Sequence, residues 1–186
     1  MSQDSVTAEE IIAALTRDDG EMEFSLREKN IIGELNLTYR SIKKAVNIQQ
    51  CIFQDKVDLS HCKFERPVYF TGTRFEGSLI CFLTSFGVLL NCDQALFQSA
   101  VDFEGAKFGS YGFFREAIFE NAEQSVNFFL ASFGGNLECD RAAFHGPVRF
   151  QEIQCTGSGR FLETTFQSEN GLVDFFSASF GGNFVC

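Results

Sequence analysis

Large apolar residues recur along this chain at steps that fit neither a helix nor a simple strand. From Phe53 the series Phe53, Phe64, Phe75, Phe86, Phe97, Phe108 and Phe119 advances by eleven. A second series, Leu59, Phe70, Cys81, Cys92, Phe103 and Phe114, runs between them, so the merged steps alternate six and five. Amphipathic helices and half-buried strands have other periods. Smaller residues keep the same phase. Cys62, Thr73, Thr84, Ala95, Ala106 and Ala117 stand two before each residue that closes a five-step. Val57, Val68, Leu79, Leu90, Val101, Val126, Val148 and Val173 stand two before residues that close a six-step.

This alternation predicts a coil with four short sides, each pointing one small and one bulky residue inward. One turn takes 22 residues, so residue i should lie beneath residue i+22. Four columns result. One runs Ile42, Phe64, Phe86, Phe108, Phe133, Cys155, Phe180, and the next Ile48, Phe70, Cys92, Phe114, Cys139, Phe161, Cys186. The third is Phe53, Phe75, Phe97, Phe119, Phe144, Phe166, and the fourth Leu59, Cys81, Phe103, Phe128, Phe150, Phe175. Leu26, Ile31, Leu37 and Ile42 fit an earlier, aliphatic coil. Phe113 is off-register and should face outward. A solenoid has no globular centre, so neighbouring coils must make a continuous core. Phenylalanine suits a dry shaft because its ring is large and has no polar tip needing a partner.

Segments such as "AVDFEGAKF", "PVYFTGTRF" and "SVNFFLASF" resemble the pentapeptide-repeat family, with Phe as the family's central residue and Val or Ala two before as its small inward one. The resemblance covers about residues 24 to 186 and implies an all-β solenoid: a right-handed, four-sided parallel β-helix of about seven coils. The six-residue units depart from the simplest family pattern and suggest a longer corner on alternate sides.

Residues 1–23 read as a separate N-terminal segment. "TAEEIIAAL" predicts a helix with Thr7 as N-cap and Glu10 completing a capping box, an apolar stripe of Ile11, Ile12 and Leu15, and Gly20 as its end. This helix is expected to cap the first coil; a partner-binding helix is the rival. The repeat reaches Cys186 in mid-coil, so the chain is expected to be truncated, or to pair end to end with a second copy through its C-terminal coil. Twice the register slips by three, from Phe119 to Phe128 and from Phe166 to Phe175. Both slips enlarge the same corner, two coils apart. They nominate Glu120, Glu123, Gln124, Glu169 and Asn170 as partner-binding residues, since binding groups concentrate on loops held by rigid scaffolds.

The net charge of −10 argues against direct nucleic-acid binding. It divides as −5 over residues 1–30, +1 over 31–100 and −6 over 101–186. No apolar run is long enough for a membrane-spanning helix within this chain, and the start lacks a secretory layout. A cytoplasmic location with reduced thiols is expected. Cys81, Cys92, Cys139, Cys155 and Cys186 replace Phe in the columns, while Cys51 and Cys62 take the small inward position. His61 and His145 fall at unrelated outward places. These residues imply neither cofactor nor metal, and the reading is non-enzymatic.

The expected function is a non-catalytic scaffold for an unidentified protein partner. One alternative is an acidic DNA mimic that protects a type II topoisomerase, as the family resemblance allows. Its charge is too sparse: duplex DNA carries a charge per about 1.7 Å, so four acidic coils would need about eleven and have six net. A further alternative is the repeat region of a longer membrane-linked or signalling protein.

Overall fold

The structure, a computed structural model, describes residues 4–121, 123–167 and 172–186. β1 (Ser5–Thr7) leads into α1 (Ala8–Thr16). Then β2 (Glu23–Arg27), β3 (Asn30–Ile32), β4 (Leu35–Asn36) and β5 (Ser41–Ile42) run along four successive sides of a prism, numbered here faces 1 to 4 in that order. Each later turn adds a short strand to each face, giving four parallel sheets of eight, eight, seven and seven strands. The stack has about eight coils, because β1 adds a strand to face 2 with Val6 aligned on Ile31. The apolar step pattern begins later and carries no sign of this strand.

Register follows the 22-residue rule. Phe86 pairs with Phe64 on one side and Phe108 on the other. The offset grows to 25 where Phe108 meets Phe133, which absorbs the first three-residue slip without disturbing the column. Strands of two residues hold because the coils above and below take up their backbone groups: Gly87 donates to the Phe64 carbonyl and Gly109 to that of Phe86, each at 2.7 Å.

The five- and six-residue steps are two kinds of corner. Between faces 1 and 2, and between faces 3 and 4, the chain makes a tight turn in which Thr73 donates to Phe70 and Ala106 to Phe103, both at 3.0 Å. The third residue of this turn has positive φ, at Gly72 (65°) and Gly105 (62°), as type II geometry requires. His61, Leu83 and Gln94 adopt the same conformation without being glycine. Outward Asx residues brace these turns: Asp58, Asn91 and Asp102 accept from the N–H two residues on, at 2.8–3.0 Å.

Inside, the rings pile in columns. Along face 2, Phe53, Phe75, Phe97, Phe119, Phe144 and Phe166 stack at 4.5–5.3 Å with interplanar angles of 5–11°. Phe64, Phe86 and Phe108 stack likewise on face 4. Thr73 and Thr84 are buried with their hydroxyls satisfied by the Ile48 and Leu59 carbonyls.

A small column residue is offset by a large one two positions earlier. Each buried column cysteine follows a large aliphatic residue two positions earlier: Leu79 before Cys81, Leu90 before Cys92, Leu137 before Cys139 and Ile153 before Cys155. On faces 1 and 3 the column phenylalanines follow Val instead, or Gly112 and Gly159. On faces 2 and 4 they follow Ala, Thr or Cys. A Cβ on Gly112 would meet Phe133 Cε1 at 2.6 Å, so neighbouring rings fill the space a side chain there would occupy.

α1 closes the first coil. Thr7 and Glu10 form the capping box, the Thr7 N–H donating to Glu10 Oε2 at 2.8 Å and the Glu10 N–H to Thr7 Oγ1 at 3.2 Å. Ala8, Ile11 and Leu15 are buried, and Ile12 packs partly against the core. The helix ends at Thr16 rather than Gly20. Arg17 turns extended while donating to the Ala13 carbonyl, and Gly20 only redirects the chain further on. At the other end, three rings expected in the core are incompletely covered. Phe166 is 36% exposed and Phe175 and Phe180 are half-buried, while Cys186 is exposed. Much of a column ring's cover comes from the next coil, and among the described residues no coil lies over these. Phe113 sits outside, as expected, between the Tyr111 ring and the Arg115 guanidinium. Among the described residues no helix is long and apolar enough to cross a membrane.

Candidate functional site

The first enlarged corner leaves face 2 after Phe119 and joins face 3 at Val126. Asn121 folds it, its side-chain oxygen accepting from the N–H groups of Glu123 (3.0 Å) and Gln124 (2.9 Å). Glu120 accepts from the Gln98 amide at 2.9 Å. Glu123 and Gln124 are exposed at the tip. The structure thus brings Glu120, Glu123 and Gln124 together on one loop; Glu169 and Asn170 lie outside the described residues. Gly146, one coil on, was not singled out from the sequence. It packs against this loop so closely that a Cβ would strike the Asn121 carbonyl. The signal available was "HGP" after Phe144, at the same corner one coil later.

A second feature lies where α1 meets the corner between faces 4 and 1. Here a crevice of about 480 Å³ opens, with Leu15 and Met22 among its walls and Arg17, Arg40, Lys43 and Arg66 around it. Lys44 is buried at its base, donating to the Ala14 carbonyl at 2.9 Å and pairing with Asp19 at 2.7 Å. That hydrogen bond holds the Asp19 carboxyl below its ordinary range. Sequence reasoning passed over this cluster, although the 22-residue rule sets Lys44 beside Arg66.

Elsewhere several bases pair with carboxylates. Arg160 pairs with Asp140 at 2.7 Å, Arg141 with Glu116 at 3.4 Å, and Arg115 with Asp93 and Glu138. Burial pushes the Asp102 carboxyl up, although Asn127 donates to it at 3.0 Å. Outside the corner between faces 3 and 4, Tyr39 stacks on His61 at 4.5 Å and His61 meets Phe82 edge-on. His61 is therefore a half-buried member of an outer aromatic row rather than a solvated side chain.

Six cysteines are buried and Cys186 is exposed. Burial pushes the Cys62 thiol up to about 12, and those of Cys81, Cys92 and Cys139 well above the ordinary range. Such thiols are poor nucleophiles. Among the described residues no group of three His, Cys, Asp or Glu side chains is placed to hold a metal ion. Comparison with family models, curated proteins and solved structures finds no match to this chain.

Proposed function

We propose that this chain is a right-handed pentapeptide-repeat protein that acts without catalysis, as a rigid scaffold presenting its faces and enlarged corner to a protein partner. The observation that carries this reading is the enlarged corner between Phe119 and Val126, described at residues 120–121 and 123–125. The ladders on both sides of it continue in register, Phe119 on Phe144 along face 2 and Val101 on Val126 along face 3, so the scaffold holds its geometry while the loop projects acidic and amide side chains. Asn121 and Gly146 fix the loop's shape in advance, which lowers the ordering cost of binding.

Affinity capture from the source lysate tests this, comparing the native chain with a Glu120→Lys, Glu123→Lys, Gln124→Lys variant. A stoichiometric protein partner should be recovered and should fall about tenfold on the variant. Equal recovery by both chains, or no partner at all, ends the reading. The DNA-mimic alternative is weaker, because Arg115, Arg141 and Arg160 lie among the acids of the second half and pair with them. A gyrase supercoiling assay inhibited by the protein would restore it.

A further inference from the structure

The crevice beside α1 departs from the electrostatic habit of the rest of the molecule. The chain has 25 acidic and 15 basic residues, so a base should readily find a carboxylate. Eight bases do so: Arg27, Lys29, Lys44, Lys56, Arg74, Arg115, Arg141 and Arg160. Seven make no ion pair with a described residue, and four of those seven line this one crevice: Arg17, Arg40, Lys43 and Arg66. They come from three stretches of chain: the exit of α1, the two flanks of β5 at Arg40 and Lys43, and the corner between faces 4 and 1 one coil later at Arg66. Local sequence composition alone does not gather them.

The acids nearby cancel them only in part, for five basic side chains line the crevice against Asp18, Glu21 and Glu65. Glu21 stands 3.8 Å from Lys44, which also takes Asp19, and Glu65 accepts from Ser41 at 3.2 Å. Asp18 is the remaining acid of the lining. Lys44 also covers the Ala14 carbonyl, one of the groups that make the α1 C-terminus electronegative. The volume falls within the usual range for small-molecule sites, and Leu15 and Met22 supply apolar wall. Three guanidinium groups suit bidentate contact with phosphate oxygens.

We propose that this crevice binds a soluble small molecule carrying two or more clustered phosphate groups. A phosphorylated lipid headgroup shares the chemistry, but the chain's −10 charge opposes adsorption to an anionic membrane surface. The site is independent of the corner loop and of the scaffold reading.

Amide chemical-shift mapping of the full chain with inorganic tripolyphosphate at low ionic strength provides the test. Saturable shifts should concentrate on residues 15–22, 40–44 and 65–66. Arg40→Ala and Arg66→Ala should each weaken binding about five- to tenfold, while Arg115→Ala, which lines no part of this crevice, should leave affinity within about twofold. Adding salt to about 0.5 M should weaken binding at least tenfold. Thermal melts confirm that each variant is folded. Absence of shifts at about 5 mM tripolyphosphate, or equal binding by the Arg40→Ala, Arg66→Ala double variant, overturns the proposal. Capture by vesicles containing a phosphoinositide, without binding of free tripolyphosphate, overturns the soluble ligand.

Discussion

On face 1, the pairs Gly112–Phe114 and Leu137–Cys139 occupy adjacent coils, with Gly112 directly opposite Leu137 in the ladder. All four residues are buried. The first pair spends its volume on a ring and leaves nothing two residues before it. The second does the reverse, with a large aliphatic side chain and a small thiol. Their difference shows a trade within the pair: where the column residue shrinks to cysteine, a large aliphatic side chain stands two positions earlier. It also explains why cysteine can interrupt a phenylalanine column without opening a void.

The largest effect should come from filling the place that Gly112 leaves empty. In Gly112→Leu the new Cβ meets Phe133 Cε1 at 2.6 Å, and the rest of the side chain must displace the Phe114 ring as well. Overpacking of this kind should cost about 3 kcal/mol, read as a lower denaturation midpoint. The opposite change, Leu137→Gly, should also destabilise, but through a cavity. Should Gly112→Leu melt with the native chain, the rings of Phe114 and Phe133 do not fill the space beside Gly112.

A smaller effect comes from exchanging the pairs. Cys139→Phe alone should destabilise by about 2 kcal/mol, because Leu137 already fills the adjoining space. Leu137→Val in the same chain recreates the Val–Phe pair found at Val68–Phe70 and Val101–Phe103. The double variant should recover about 1 kcal/mol relative to the sum of the single changes. Additive losses would mean that the two positions do not share one space.

Most of this architecture was legible in the chain itself. Phenylalanines spaced by eleven and 22 can all point inward only in a four-sided coil, and Phe64, Phe86 and Phe108 stack accordingly. The capping box of Thr7 and Glu10 was equally readable, because its contacts are local. What escaped depends on side chains from different coils meeting outside the shaft. Tyr39 and His61 are 22 apart, as are Lys44 and Arg66, yet outward positions carry no periodic apolar signal that would draw attention to them. β1 escaped for another reason. Its pairing with β3 is supplied by backbone groups, and a three-residue strand has too few inward side chains to show a period. Of the candidate loop, the sequence located the insertion but not the fold that Asn121 and Gly146 impose on it.

The smallest effect, and the finest test of the paired volumes, is on thiol chemistry. Cys139 is buried, and its thiol is pushed well above the ordinary range by burial and then by Asp140, Glu138 and Asp93. Raising the value reduces the thiolate present at any pH below it, and burial excludes the reagent, so both effects slow alkylation. Iodoacetamide at about pH 8 should label Cys186 quickly. The six buried cysteines should react at least about a thousandfold more slowly, limited by opening of the coils. Leu137→Ala should then leave a cavity beside Cys139 and raise its labelling about tenfold, with Cys81 unchanged behind Leu79. Peptide mapping of the alkylated chain distinguishes the outcomes. A selective rise at Cys139 means that Leu137 seals that pair, whereas an equal rise at all six means that the coils open together and the pair is not a separate unit of packing.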